Sequence, residues 1–306
     1  MIAPDSQALV LTAAPGSAAI DPPALNAARE RIGPQRLLAE SWLNPGEAWQ
    51  AIFAPAEDNS LDTLAGDLAT ELGSRPIDVN VVRASSAERR KRLLIADMDS
   101  TIIEQECIDE LADLLGIKAR VAEITERAMR GEIAFEPALR ERVALLAGID
   151  TSTIERIIAE RISISPGADQ LVATMRANGA HAALVSGGFT LFTTRIAEAL
   201  GFDSHHANTL QIESGRLTGK VADPILGREA KRERLIRLSN RLGLDRHETL
   251  AVGDGANDLA MIEAAGLGVA YRAKPAVAAL ADARIVRGDL TALLYLQGYM
   301  AADFAL

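Results

Sequence analysis

From Leu93 onward, short apolar runs alternate with stretches of helical period. Candidate strands are Leu93–Ala96, His181–Val185, Thr249–Val252, Leu267–Ala270 and Arg284–Val286. Alternation of this kind predicts an α/β fold, a Rossmann-like parallel sheet with helices on both faces. The interval between the first two of these strands is helical in pattern and far longer than one crossover needs. The surplus, about residues 104–165, is expected to form an inserted helical cap over the carboxyl edge of the sheet.

The first 83 residues follow a different rhythm. Gln7–Ala13 reads as a strand, and Pro22-Pro23 opens a helix that ends near Gly33. Arg36–Trp42 and Ala48–Phe53 are strand-like runs separated by the turn signal Asn44-Pro45-Gly46. Leu61, Leu64, Leu68 and Leu72 recur at helical spacing, and Ile77–Val82 alternates as a strand does. The order is βαββαβ, the split β-α-β pattern. Residues 84–92 (Ala-Ser-Ser-Ala-Glu-Arg-Arg-Lys-Arg) are polar and charged, and they predict a linker with a solvated basic end. The expected division is therefore 1–83, a linker over 84–92, and a core over 93–306 that carries the cap.

Composition narrows the class. The chain has 306 residues, 48% hydrophobic and 24% charged, as soluble globular proteins do. A net charge of −10 and 4% aromatics argue against nucleic acid as a partner, although a local anion site is compatible with an acidic whole. The single cysteine, Cys107, excludes an internal disulfide and a cysteine-rich zinc site, and fits a reducing compartment. There is neither a signal-like start nor a run of apolar residues long enough for a membrane helix. A cytoplasmic protein with no membrane partner is the expectation.

Three of the predicted strands end in chemistry. Leu93-Leu-Ile-Ala runs into Asp97-Met98-Asp99-Ser100-Thr101. Ligands of open α/β sheets bind just past the carboxyl ends of strands. Two carboxylates there make a hard oxygen site for Mg2+. One could attack phosphorus and the other could pass protons, whereas the plain alternative is a helix cap. Leu184-Val185 ends in Ser186-Gly187-Gly188, whose hydroxyl and N–H groups could hold a phosphate oxygen. Thr249–Val252 ends in Gly253-Asp254-Gly255-Ala256-Asn257-Asp258, two more acids on a glycine-rich turn. Lys231, alone on a helix, would ordinarily be solvated. The glycine pattern of dinucleotide binding is absent after the first core strand, which excludes a nicotinamide-dependent dehydrogenase.

Taken in order, Asp97-x-Asp99, Ser186-Gly187-Gly188, Lys231 and Gly253-Asp254-Gly255-Ala-Asn257-Asp258 resemble the haloacid dehalogenase-like phosphatases over about Arg92 to Arg287. In the cap, Met98–Glu106, Ala128-Met129 and Phe135–Val143 are similar to the phosphoserine phosphatases. Arg142 has independent support. It shares a face with the apolar stripe Leu139, Val143 and Leu146, where a charge needs a partner or a ligand. Glu106 lines up with Glu110 and Asp113 as an acidic face, so the resemblance alone singles it out.

That resemblance implies hydrolysis of O-phospho-L-serine to L-serine, the last step of serine biosynthesis, through an aspartyl-phosphate. Asp97 is the implied nucleophile and Asp99 the acid and base. Mg2+ is assigned to Asp97, the Asp99 backbone carbonyl and Asp254, with Asp258 behind them. Ser186, Gly187, Lys231 and Asn257 are assigned to the phosphate, Glu106 to the substrate ammonium and Arg142 to its carboxylate. Met129 and Phe135 are expected to exclude water.

The amino-terminal pattern resembles, in topology only, an amino-acid-binding module of the ACT type. Docking or dimerisation is its plainer role, and a homodimer is possible. Two other readings stand beside this one. The chain could be a phosphatase or phosphotransferase for another small phosphomonoester, or a non-catalytic amino-acid sensor.

Overall fold

The computed structural model of the protein describes residues 5–55, 61–85, 89–130 and 132–305. The first sheet has four antiparallel strands, β1 (Gln7–Ala13), β2 (Leu37–Asn44), β3 (Ala48–Phe53) and β4 (Ile77–Arg83), in the order β2-β3-β1-β4. Helices α1 (Pro22–Ile32) and α2 (Leu61–Leu72) cover one face. α1 begins where Asp21 accepts a hydrogen bond from the N–H of Ala24 and stops at Gly33 in a positive-φ conformation. Leu9, Leu11, Trp49 and Phe53 alternate onto the helix-facing side, where they pack with Ala28, Ile32 and Leu68. Ala8, Val10, Ala48 and Ile52 point the other way and merge with the main core.

The second sheet has six parallel strands. They are β5 (Leu93–Ala96), β6 (His181–Phe189), β7 (Ser204–Asn208), β10 (Thr249–Gly253), β11 (Leu267–Tyr271) and β12 (Ala283–Ile285), in the order β12-β11-β10-β5-β6-β7. Leu93, Leu94, Ile95 and Ala96 are fully buried, as a central parallel strand requires, and each large side chain contributes about 1.5–3 kcal/mol by leaving water. Layered on this sheet are α7 (Ala168–Ala177), α8 (Thr190–Leu200), α9 (Arg228–Leu242), α10 (Leu259–Ala264), α11 (Pro275–Ala278) and α12 (Ala292–Leu296). The α/β class and the parallel order agree with the reading of the sequence. β7 and the hairpin of β8 (Leu210–Glu213) and β9 (Arg216–Val221) were not expected.

Between β5 and α7 the chain leaves the sheet and forms α3 (Cys107–Leu114), α4 (Lys118–Met129), α5 (Phe135–Ala144) and α6 (Thr151–Arg161). Exit and return are bonded side by side. Glu104 N–H donates to the Ser163 carbonyl at 3.0 Å, and Ser165 N–H donates to the Ile102 carbonyl at 2.9 Å. The unexpected hairpin joins these helices, since Gly148 and Leu217 exchange backbone contact through Gly148 N–H to the Leu217 carbonyl at 2.8 Å.

The basic segment before β5 departs from expectation. Residues 86–88 lie outside the described residues, but Arg89 and Lys91 are buried rather than solvated. Arg89 donates to the carbonyls of Leu296 and Tyr295 and to Gln50, and Lys91 Nζ donates to the His247 carbonyl at 2.6 Å. The Leu296 carbonyl at the end of α12 and the His247 carbonyl before β10 have these cations as donors, while the Tyr295 carbonyl also accepts from Gly298 N–H. Among the described residues no helix is long and apolar enough to cross a membrane.

Candidate active site

Adjacency in the sheet brings the three chemical strand ends together, because β10, β5 and β6 are neighbours. Asp97 follows β5 directly and is 3% exposed. The chain then turns through Met98–Ile102 with Ser100 at φ 54°, a left-handed conformation that reverses the backbone at once after the strand.

Lys231, on the first turn of α9, is buried and reaches this point. Its Nζ lies 2.6 Å from Oδ1 of Asp97 and 2.6 Å from Oδ1 of Asp258. Burial works against its charge, but Asp258 and Asp97 outweigh that and hold the ammonium well above its ordinary pKa. Met98 N–H also donates to Oδ1 of Asp97. Both described contacts thus fall on one carboxylate oxygen and leave Oδ2 for other chemistry.

Carboxylate oxygens of Asp97, Asp254 and Asp258 lie within 4.8 Å of one another. Burial and the charge of Asp258 raise Asp97 well above the usual carboxylate range and raise Asp254 to about 6. One lysine does not offset three acids at this spacing, so the cluster calls for a further cation. A hard oxygen donor set of this kind fits a small divalent ion such as Mg2+. Thr101 Oγ1 donates to Asp254 Oδ1 at 3.2 Å and steadies that carboxylate. Gly253 is obligatory here, since a Cβ on it would lie 2.4 Å from the Asp258 carboxyl carbon.

The side chain of Asp99 does not join the cluster. Its Oδ1 accepts from Cys107 N–H at 2.9 Å, and its Oδ2 accepts from the Ser186 hydroxyl at 2.9 Å. Ser186 Oγ in turn accepts from Gly188 N–H at 2.7 Å. Gly188 has no room for a side chain, because a Cβ would stand 3.0 Å from both Asp99 Oδ2 and Ser186 Oγ. Gly187 is held through its carbonyl, which accepts from Asn208 Nδ2 at 2.8 Å. Asn257 stands exposed at the rim, its amide oxygen against Gly255.

The cap adds two charges. Glu106 sits just before α3, and its Oε1 accepts from Ser100 Oγ at 2.7 Å. Glu110 and Asp113, the acids it was aligned with, instead pair with Arg161. Burial and the nearby Asp99 charge raise the Glu106 carboxyl to about 7. Arg142 is half-buried on α5 beside the buried Leu139, Val143 and Leu146. Its side chain makes only long bonds, 3.3 Å to the Ala138 carbonyl and 3.4 Å to Thr125 Oγ1. Burial lowers its pKa, while the charges of Asp109 and Glu106 support it. Among the described residues neither Glu106 nor Arg142 forms an ion pair. The Phe135 ring spans Gly187 and Gly227, within 3.9 and 3.6 Å of where their Cβ atoms would be. The side chain of Met129 lies outside the described residues.

Comparison with known proteins places this arrangement. Residues 94–263 match the haloacid dehalogenase-like hydrolase model. The chain belongs to that family. Relatives within it include phosphoserine phosphatases. One from Streptomyces coelicolor is 45% identical over 76% of this chain and 56% of its own length. A probable phosphoserine phosphatase from Schizosaccharomyces pombe is 40% identical over 88% of both chains. The crystal structure of a probable phosphoserine phosphatase from Vibrio cholerae, unliganded, superimposes with a TM-score of 0.77 at 32% identity, covering 98% of this chain and 88% of that one. The chain thus spans just over half of the Streptomyces relative and most of the other two. Its acids sit on the ends of neighbouring parallel strands, β5 and β10.

Sequence reasoning underrated Asp258, Thr101, Ser100 and Gly188. Each lay inside a quoted motif, but which neighbour it touches depends on sheet adjacency that no single motif contains.

Proposed function

We propose that the protein hydrolyses O-phospho-L-serine to L-serine and phosphate with the help of Mg2+. The observation that carries this is the pair Glu106 and Arg142: opposite charges, close enough to influence each other, neither in an ion pair among the described residues, with Glu106 near Asp99. A zwitterionic amino-acid group satisfies both, its ammonium on Glu106 and its carboxylate on the planar fork of Arg142. The other end of such a substrate, a phosphate, would then lie toward Asp97.

Asp97, Asp254 and the backbone carbonyl of Asp99 would hold the metal, with Asp258 fixed by Lys231 next to them. When bound, the ion would supply the charge compensation that a phosphate dianion needs among Asp97, Asp99, Glu106, Asp254 and Asp258, beside the cations Lys231 and Arg142. The free carboxylate oxygen of Asp97 attacks phosphorus, and the serine oxygen leaves with a proton from Asp99. Asp99 then takes a proton from the water that attacks the aspartyl-phosphate, and the Asp97 carboxylate is released. Ser186 holds Asp99 in line for both transfers, and it shares the phosphoryl oxygens with Gly187, Lys231 and Asn257. Phe135, over Gly187 and Gly227, excludes bulk water.

The sheets support a division into an amino-terminal unit over 1–83, a connection over 84–92 and a core over 93–306 with its cap. Cytoplasmic residence and a role in serine biosynthesis are consistent with such an activity. Phosphate release from O-phospho-L-serine, with and without Mg2+, beside a panel of other phosphomonoesters, tests the proposal. Metal-dependent preference for phosphoserine is expected. Turnover confined to other esters would remove Glu106 and Arg142 from substrate recognition.

A further inference from the structure

We propose that the amino-terminal unit sets the position of the cap's return segment, and that Asp78 is the positioning residue through which it does so. The inference rests on the proposed substrate reading only for its kinetic arm. Asp78 lies in β4, and its carboxylate is buried against the segment that follows β12. Oδ1 accepts from the N–H groups of Val286 and Arg287 at 3.0 and 3.1 Å. Oδ2 accepts from those of Arg287 and Gly288 at 2.9 and 2.8 Å. A carboxylate that gathers three successive backbone N–H groups fixes the path of that segment. Asn80, two residues along the same strand, adds a two-point tie, donating to the Arg284 carbonyl and accepting from Arg284 N–H.

The segment held in this way continues straight into the base of the cap. Leu290 N–H donates to the Pro166 carbonyl at 3.0 Å. Gly167 packs so closely that a Cβ on it would lie 2.7 Å from Thr291 N and 3.1 Å from the Asp289 carboxyl carbon. One residue before Pro166, Ser165 N–H bonds the Ile102 carbonyl, beside the turn that carries Asp99. A chain of direct contacts therefore runs from Asp78 through residues 286–291 to Pro166 and Gly167, and on to the paired exit and return of the cap. Gly288, Asp289, Leu290 and Thr291 are buried between Asp78 and Gly167, so a shift at Asp78 is passed along them rather than absorbed.

The test uses the full chain and the variant Asp78→Ala, followed by backbone hydrogen exchange and by kinetics on two substrates. Exchange at residues 102–104, 163–165 and 167 is expected to speed up about tenfold or more, since those amides depend on the held segment. KM for phosphoserine is expected to rise about fivefold, while kcat/KM for p-nitrophenyl phosphate, which does not use Glu106 or Arg142, stays within about twofold. Unchanged exchange at the cap base, or equal losses on both substrates, would overturn the proposal. If Asp78→Ala does not fold, Asp78→Asn decides, because it keeps the side chain's size and one acceptor oxygen but turns an NH2 donor toward the remaining backbone N–H groups, and should give the same pattern. Failure of the wild-type protein to turn over phosphoserine would strike the substrate reading, and the exchange measurement would still decide this one.

Discussion

The Ser186 hydroxyl donates a 2.9 Å hydrogen bond to Oδ2 of Asp99, the carboxylate proposed to carry protons to and from the substrate. On sequence grounds Ser186 was a phosphate contact. In the structure its hydroxyl is first of all a brace, held in turn by Gly188 N–H. Ser186→Ala should therefore act on the chemical step. A hydrogen bond to a charged group contributes about 1.5–3 kcal/mol, so kcat should fall roughly 10- to 100-fold. Steady-state kinetics beside a thermal melt would check this. A loss confined to KM would return Ser186 to simple phosphate binding.

Lys231 offers a prediction about metal and stability together. With Nζ 2.6 Å from both Asp97 and Asp258, Lys231→Met would leave buried carboxylates without their cation. Breaking a buried pair in this way costs about 3–5 kcal/mol. Added Mg2+ should recover part of the loss, since it would bind the same carboxylates more strongly than in the native protein. Denaturant unfolding with and without Mg2+ measures both quantities. An equal loss in the two conditions would separate the lysine from the metal.

Arg142 should behave in the opposite way. Its bonds are long and it has no ion-pair partner among the described residues, so Arg142→Ala should change stability by less than about 1 kcal/mol. Removal of a two-pronged contact with a carboxylate should nonetheless cut kcat/KM for phosphoserine about 100-fold and leave p-nitrophenyl phosphate nearly unaffected. Equal losses on the two substrates would make Arg142 a structural residue.

The buried parallel strands were legible because their apolar runs end abruptly in acids, hydroxyls and glycines, as β5 does at Asp97. β7 was not, since Ser204-His-His-Ala-Asn208 carries no apolar run and is a strand only because β6 offers it an edge. The hairpin of β8 and β9 was hidden for a similar reason: its residues are largely exposed, and its partner is the cap. Lys231 looked like an ordinary helix lysine until its two aspartates, distant in the sequence, closed around it. Arg89 and Lys91 looked solvated for the same reason, because the carbonyls they satisfy belong to elements near the far end of the chain.

Glu106 gives the pH prediction. Its carboxyl is raised to about 7 from an ordinary 4.5, with burial the larger cause and the Asp99 charge the next. A carboxyl whose folded pKa lies above its unfolded value binds more protons when folded, so stability declines as pH rises from about 4.5 to 7 and levels off above that. Glu106→Gln should lose this slope and be relatively more stable at pH 8 than at pH 5. Substrate recognition should run the other way. The ammonium group needs the ionised carboxylate, so KM for phosphoserine should fall as pH rises through about 7. In Glu106→Gln that fall should be absent while p-nitrophenyl phosphate keeps the native profile. Paired pH series of unfolding and kinetics would show both slopes. If KM is flat in the wild-type protein while the stability slope is present, Glu106 titrates as described but does not meet the substrate.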